Sequence, residues 1–482
     1  MALGAGGLAV AAAAYILIRP PTASARSIAV LPFTNVGGDS TNEPYSDGVA
    51  DELTTALGKV NGLAVTARGS AFSFKEKHLN AREIGRRLEV RYIVEGSVKS
   101  AGGRRRIGAQ LVDVASGKEL WSDNFEHDVR NRDVFTVNDS IARSIVRQLL
   151  PRLSPAALAT PAKRPTENTE AHELYLQGRF FFDKRSEAAL KKAEVYFERA
   201  IALDSSYALA WSGLSDAYSH SSVFGYAKPA DSFPKAKTYA IRALALDGTL
   251  AEAHASRAFV ALFYEWDWET AGREFDLALA ANPRSPSAHL WHAWYYLPLG
   301  KTDRVIGEVQ TAVDLDRFSA VANTRLVTAL FFGHRYDAAL AQALKTIDLN
   351  PEFVGVRLEL ARVYTYLGRC AEALPLLGEA QPSAQLSGVV GWVYARCGRR
   401  QQAVVELDRL VADAARGRYE SHYGRAVIQA GLGNTDQVIA ELEQAYVERA
   451  WAMFDLRIEP AFDNVRAEPR FVDLVRRMRF PS

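Results

Sequence analysis

The sequence predicts a multidomain chain in which a mixed α/β N-terminal domain is followed by an all-α superhelix of helical hairpins. Three observations predict it. Between residues 27 and 150, short strand-like runs are interleaved with amphipathic helical patterns. Four prolines, Pro151, Pro155, Pro161 and Pro165, then fall within fifteen residues and break any regular register. From Glu170 onward one phrase of small residues at helical spacing keeps returning. Composition agrees with a folded chain: 482 residues carry 58 Lys+Arg against 56 Asp+Glu, with 48% hydrophobic residues. That balance excludes a disordered chain, a polytopic membrane protein and a strongly basic polyanion binder. Two cysteines, Cys370 and Cys397, are too few for a disulfide scaffold or a Cys-built metal site.

The elements follow in order. Ala2 to Ile18 is an uncharged run rich in Ala and Gly, closed by Arg19-Pro20-Pro21. It falls just short of the ~20 residues that span a bilayer and reads as a membrane anchor over residues 1–20. A cleaved signal ending at Ala23-Ser24-Ala25 and a flexible tail are the rival readings. Arg19 and Arg26, by the positive-inside rule, favour a cytoplasmic-facing body. Ser27 to Phe33 is continuously apolar and reads as a buried strand. Tyr45 to Leu57 is an amphipathic helix, Gly62 to Thr66 a second strand, and Ala81 to Leu88 a second helix. The period then becomes two: Tyr92, Val94, Gly96 and Val98 alternate with polar residues, as do Ile107, Ala109 and Leu111. Ala101-Gly102-Gly103-Arg104 between them is a hairpin turn whose glycines permit positive φ. A further strand carries Trp121 and Phe125, and Val134 to Leu150 closes the domain, giving β-α-β-α-β-β-β-α. Arg104-Arg105-Arg106 beside the turn reads as a solvated hairpin rather than a polyanion site, since basic and acidic residues nearly balance here.

Ala29-Val-Leu-Pro-Phe33, Tyr45-Ser-Asp-Gly48, Arg68 with Ser70-Ala-Phe72, Glu83-Ile-Gly85 and Val94-Glu-Gly-Ser-Val98 occur in that order. On these stretches residues 27–150 resemble the TolB-like, FlgO-like amino-terminal domain of bacterial regulators. The resemblance implies a non-catalytic domain accompanying sensor, winged-helix, cyclase or kinase modules, with the bulk of the chain periplasmic. Residues 151–167 read as an exposed Pro-rich linker.

In the C-terminal part, Ala193…Phe197…Ala200 is echoed by Ala236…Ala240…Ala243, Ala271…Phe275…Ala278 and Ala339…Ala343. Trp211, Leu214, Ser215 and Tyr218 give the clearest partner helix. Glycines at 300, 333, 368, 398 and 433 stand 33, 35, 30 and 35 residues apart. This pattern resembles the tetratricopeptide family, in which small residues let two helices of one repeat nest against the next. It implies about eight repeats over residues 168–445, with residues 446–482 capping the apolar end of the stack. Val305 and Val438 replace the usual small residue, which implies looser packing in repeats four and eight.

No reaction chemistry assembles along the chain. Gly300-Lys301-Thr302 imitates the end of a phosphate loop, but Tyr295 occupies the first glycine position, so it reads as a turn between helices. His172-Glu173 lacks a second histidine, Gly4-Ala-Gly-Gly lacks a preceding strand, and Asn131-Arg-Asp133 is no kinase signature. His254, His289 and His292 read as packing or capping residues. Cys370 and Cys397 read as small buried side chains near helix turns, with a disulfide open to them in an oxidising compartment. The expectation is a non-enzymatic scaffold without cofactor or metal, binding a protein or peptide and no nucleic acid. The alternative is the sensory or output portion of a larger kinase, cyclase or winged-helix regulator. Register places Phe259, Phe263, Trp294, Phe331, Arg362, Tyr366, Trp392, Arg396 and Tyr423 toward the concave groove. Aromatics with arginines are the side chains enriched at binding hot spots, and Arg362 and Arg396 suit a bidentate carboxylate.

Overall fold

The computed structural model describes residues 26–481 except 38–41, 61, 78, 129–133, 150–163, 352, 379–383, 416–418 and 420. The proposed anchor over residues 2–18, the Ala23–Ala25 site, most of the linker, and the fragments at Gly4 and Asn131–Asp133 lie outside the described residues. Among the described residues no helix is long and apolar enough to cross a membrane. The chain divides into two compact units, residues 1–164 and 165–482.

The first unit is a mixed sheet with helices. Strands β1 (Ser27–Val30), β2 (Thr34–Val36), β3 (Ala64–Val65), β4 (Tyr92–Ala101), β5 (Arg104–Asp113) and β6 (Glu119–Asp128) are arranged β3-β1-β4-β5-β6, with β2 also on β4. The strand β1, buried at every residue, lies parallel to both β3 and β4, as a continuous apolar run requires. The period-two segments form the antiparallel meander β4-β5-β6. Gly102 and Gly103 take φ of +60° and +80°, the left-handed pair a two-residue hairpin turn needs. Helices α1 (Glu43–Gly58), α2 (Arg68–Phe72), α3 (Ala81–Arg87) and α4 (Val134–Leu149) complete the unit. The strand β2 and the short α2 add to the expected order. Arg105 departs from a fully solvated hairpin: it is buried, its guanidinium 4.0 Å from the centre of the Tyr45 ring.

The second unit is an all-α tetratricopeptide-like array in which the described residues form eight helix pairs, from Thr169–Asp183 with Glu187–Leu203 to His422–Leu432 with Thr435–Val447. Side-chain caps start many of these helices: Asn168, Ser186, Asp267, Ser285 and Ser319 each accept from the backbone N–H three residues on. The small residues act as the sequence pattern requires. A Cβ at Gly178 would stand 2.5 Å from the Phe197 ring and one at Gly213 2.7 Å from it, so both helices press on one phenylalanine. Gly300 turns the chain between the helices of repeat four, as expected. Val305 and Val438 are completely buried. Cys370 and Cys397 are joined in a disulfide, which corrects their reading as separate small side chains.

One register position repeats with regularity. Trp211, His254, His289, Asn323 and Arg357 each donate a side-chain N–H to the backbone carbonyl six residues earlier. This locks the loop entering the first helices of repeats two to six, and gives His254 and His289 the capping role read from sequence. Their other ring nitrogens contact Glu274 and Glu308.

Candidate functional site on the concave face

The first helix of repeat three departs from α geometry. It runs as α-helix over Ala251–Val260 and then as a π turn over Ala261–Glu265, ending at Trp266 with φ +55°. That wider turn carries Phe263 against two residues from the far end of the chain, Phe454 (ring centres 5.0 Å apart) and Trp451 (6.0 Å). Around it the array closes on itself. The Trp268 indole donates to the Met478 carbonyl at 3.2 Å, and its ring lies 5.0 Å from Phe480. The Arg449 guanidinium donates to the Tyr264 carbonyl and lies 4.9 Å from the Trp266 ring.

Residues 450–462 therefore do more than cap the last repeat: they touch the first helices of repeats three, six and eight. Arg362 donates from one nitrogen to both Glu459 carboxylate oxygens, at 2.5 and 2.6 Å, with the two side chains only 9% and 7% exposed. Its guanidinium lies 4.4 Å from the Phe331 ring. Burial pushes Arg362 down, and the Glu459 and Glu359 carboxylates more than reverse this, so its pKa is raised. Glu459 also accepts from Ala461 N–H, starting the 3-10 turn Pro460–Phe462. The Tyr423 hydroxyl donates to Asp455, and Tyr423 packs edge-on against Phe462. Burial, reinforced by Glu459, holds Asp455 well above the usual carboxylate range.

This placement corrects the expected open groove. Phe259, Phe263, Trp294, Phe331, Arg362, Trp392 and Tyr423 are all buried, by neighbouring repeats and by the chain's own tail. Tyr366 is half-buried and stacks between Tyr336 and Trp392, at 5.6 and 5.2 Å. Arg396 alone of the nine is exposed. The carboxylate at Arg362 is Glu459 of the same chain, met by one guanidinium nitrogen rather than by the two of the expected bidentate pair.

The N-terminal half differs. There His220 stacks on Phe259 (5.1 Å) and meets Phe182 (5.0 Å) and Trp291 (5.9 Å) edge-on. Its Nδ1 lies 2.9 Å from the Asp216 carbonyl. Burial, with Arg185 adding repulsion, lowers His220 to about 3, so the imidazole is neutral at physiological pH. The Asp216 carboxylate accepts from Ser256 at 2.6 Å; burial outweighs that bond and raises it to about 6. Two guanidiniums face this interior. Arg185 follows the first helix of repeat one at φ +52°, and Arg325 belongs to the first helix of repeat five. Both are half-buried, and burial lowers both; a run of rings connects them, since Phe182 beside Arg185 meets His220, His220 meets Trp291, and Trp294 one turn further along that helix lies beside Arg325. Sequence reading missed them, although a signal existed. Trp291, Arg325 and Glu359 stand 34 residues apart, each two places beyond its repeat's capping residue.

Elsewhere, a cleft of ≈ 160 Å³ is lined by acids and lysines of repeats one and two, including Glu194 and Lys235. A shallower one of ≈ 610 Å³ lies beside Arg273, Tyr295 and Lys301. Among the described residues no three His, Cys, Asp or Glu side chains are grouped to hold a metal ion.

The fold defines the class: a tetratricopeptide-like helical repeat array that follows a mixed α/β domain in the chain. Residues 24–144 match the HilA/YgeH-like transcriptional regulator family, second domain. A curated relative, putative adenylate cyclase 3 of Rhizobium meliloti (strain 1021), is 35% identical over 197 residues, covering 41% of this chain and 33% of the relative. The chain thus spans about a third of that relative's length. Among solved structures, a tetratricopeptide repeat protein from Parabacteroides merdae ATCC 43184 is 17% identical over 55% of this chain and 99% of its own, with a TM-score of 0.39. A human IFIT1 dimer with PPP-AAAA is 13% identical over 65% and 85%, with a TM-score of 0.43.

Proposed function

We propose that the chain is a non-enzymatic interaction scaffold whose repeats seat extended polypeptide segments on their concave face, within a bacterial signalling or envelope-regulating assembly. The observation that carries this reading is the chain's own tail. Trp451 to Phe462 lies along the first helices of several repeats, using aromatic side chains for area and carboxylates for register, as a bound segment would. A tether through residues 2–18 and a periplasmic body complete the reading. The Cys370–Cys397 disulfide supports an oxidising compartment for the repeats over the cytoplasmic-facing alternative drawn from Arg19 and Arg26. The N-terminal unit, in this reading, is the TolB-like domain of such regulators. The test is a photo-crosslinking residue in place of half-buried Trp291 of the full chain in living cells. An adduct with one polypeptide supports the scaffold; adducts with nucleic acid alone refute it.

A second reading is favoured by the match to a transcriptional-regulator domain and the partial match to a putative cyclase. In it the chain is the sensory or output portion of a larger regulator. An in-frame winged-helix, kinase or cyclase sequence upstream of Met1 would decide for it.

A further inference from the structure

The two halves of the concave face are balanced differently. In the C-terminal half, Arg362 is answered by Glu459 at 2.5 and 2.6 Å. In the N-terminal half, the Arg185 and Arg325 guanidiniums have no hydrogen bond or ion pair among the described residues. Their close neighbours are rings: Arg185 lies 6.0 Å from both Phe182 and Phe224, and Arg325 lies 5.4 Å from Trp294. Stacking of this kind returns about 1 kcal/mol, less than the cost of withdrawing a cation from water without a counter-ion. The acids whose charge reaches them, Asp183 and Asp216 for Arg185 and Glu359 for Arg325, form no ion pair with either guanidinium; Asp216 accepts from Ser256, and Glu359 lies 3.9 Å from Arg362. The surface is also reachable: Arg185, Phe224, Trp291 and Arg325 all retain solvent contact.

We propose that the N-terminal half of the concave face is a docking site for an acidic, aromatic-bearing segment of a partner polypeptide, its carboxylates anchored at Arg185 and Arg325. The chain's own tail identifies the occupant. Glu459 lands on an arginine that covers a phenylalanine ring, and Phe454 meets Phe263 edge-on. Arg325 over Trp294, with Trp291 beside it, offers the same ingredients without a carboxylate. Charge complementarity selects an acid, and the half-buried Phe224 and Trp291 rings select aromatic company for it.

This assignment rests on the scaffold reading, and the experiment separates the two. A random-peptide phage library is selected on the full chain, and recovered peptides are titrated by fluorescence polarisation against wild type, Arg185→Gln/Arg325→Gln and Arg396→Gln. The expected peptides carry Asp or Glu beside an aromatic residue. Each guanidinium removed costs roughly tenfold in affinity, while Arg396→Gln binds as wild type. Circular dichroism should not change, since neither guanidinium holds a structural bond; if the double variant lost helicity, each single variant carries the same expectation. Peptides without acidic residues, or equal affinity for the double variant, would overturn the anchor and leave the scaffold standing. No selected peptide at all would remove both. A labelled single-stranded oligonucleotide that binds through the two arginines in place of peptides would overturn the polypeptide assignment.

Discussion

Replacing Glu459 by alanine tests whether the tail is held in the groove by one buried ion pair. The change removes both hydrogen bonds from Arg362 and the cap on Ala461 N–H. It leaves a guanidinium whose remaining acidic neighbour, Glu359, is 3.9 Å away. Removing one partner of a buried pair costs about 3–5 kcal/mol. Glu359 relieves part of this, so the low end, about 3 kcal/mol, is expected. That corresponds to roughly a hundredfold rise in the open population of the tail. Native-state hydrogen exchange over residues 451–478 reads this directly, because local opening free energies appear as lost protection. Protection in repeats one and two should not change. Arg362→Met/Glu459→Met, which removes both charges and fills the volume, should restore most of the loss. If Glu459→Ala left tail protection within a factor of a few of wild type, the ion pair would not be what seats the tail.

Asp216 and His220 set opposite pH slopes. Native Asp216, raised to about 6 mainly by burial, holds its proton where the unfolded chain has lost it, so its contribution to stability falls as pH rises through 4–6. Native His220, lowered to about 3 by burial, stays neutral where the unfolded chain is protonated, so stability is lost as pH falls below about 6.5. Asp216→Asn should therefore expose a steeper acid destabilisation between pH 6.5 and about 4, followed by thermal melts across that range. Reduction of Cys370–Cys397, which closes a 27-residue separation, is expected to cost about 3 kcal/mol; a lower denaturation midpoint with dithiothreitol than without it checks this. A Cβ at Gly388 would stand 2.9 Å from the Gly424 backbone. Gly388→Ala should thus destabilise the array by about 1–3 kcal/mol, measured by urea unfolding, because backbone cannot swing aside.

What was legible in the sequence is what is local. Small residues seven apart, such as Ala193 and Ala200, name the second helices because those positions are completely buried, and Gly178 and Gly213 mark the first helices that close on Phe197 between them. The alternation around Gly102-Gly103 names the hairpin because side-chain direction and turn dihedrals are set within a few residues. The nine predicted residues all fall in the first helices of their repeats, and seven of them are buried. Their covering was not legible. Trp268 and Met478 are 210 residues apart, and stacking periodicity says nothing about whether a superhelix meets its own tail. The tail's apolar residues fit an end cap and a groove filler equally well. Arg185 escaped because it stands after a helix, outside any repeating position.

The closure has a mechanical consequence. Repeats three to eight form a loop of contacts, with Trp266 against Tyr446 and Trp268 against Met478. Repeats one and two precede that loop, held to it by ordinary nearest-neighbour packing. In a stack of this kind stability is a sum of repeat and interface terms, so the end outside the loop opens first. Arg185 belongs to that end and Arg325 to the closed part. A segment anchored on both would tie repeat one to repeat five and protect amides of Thr169–Leu203 that its absence leaves to exchange. A segment bound on either arginine alone would not, and that difference separates a bridging ligand from a surface contact.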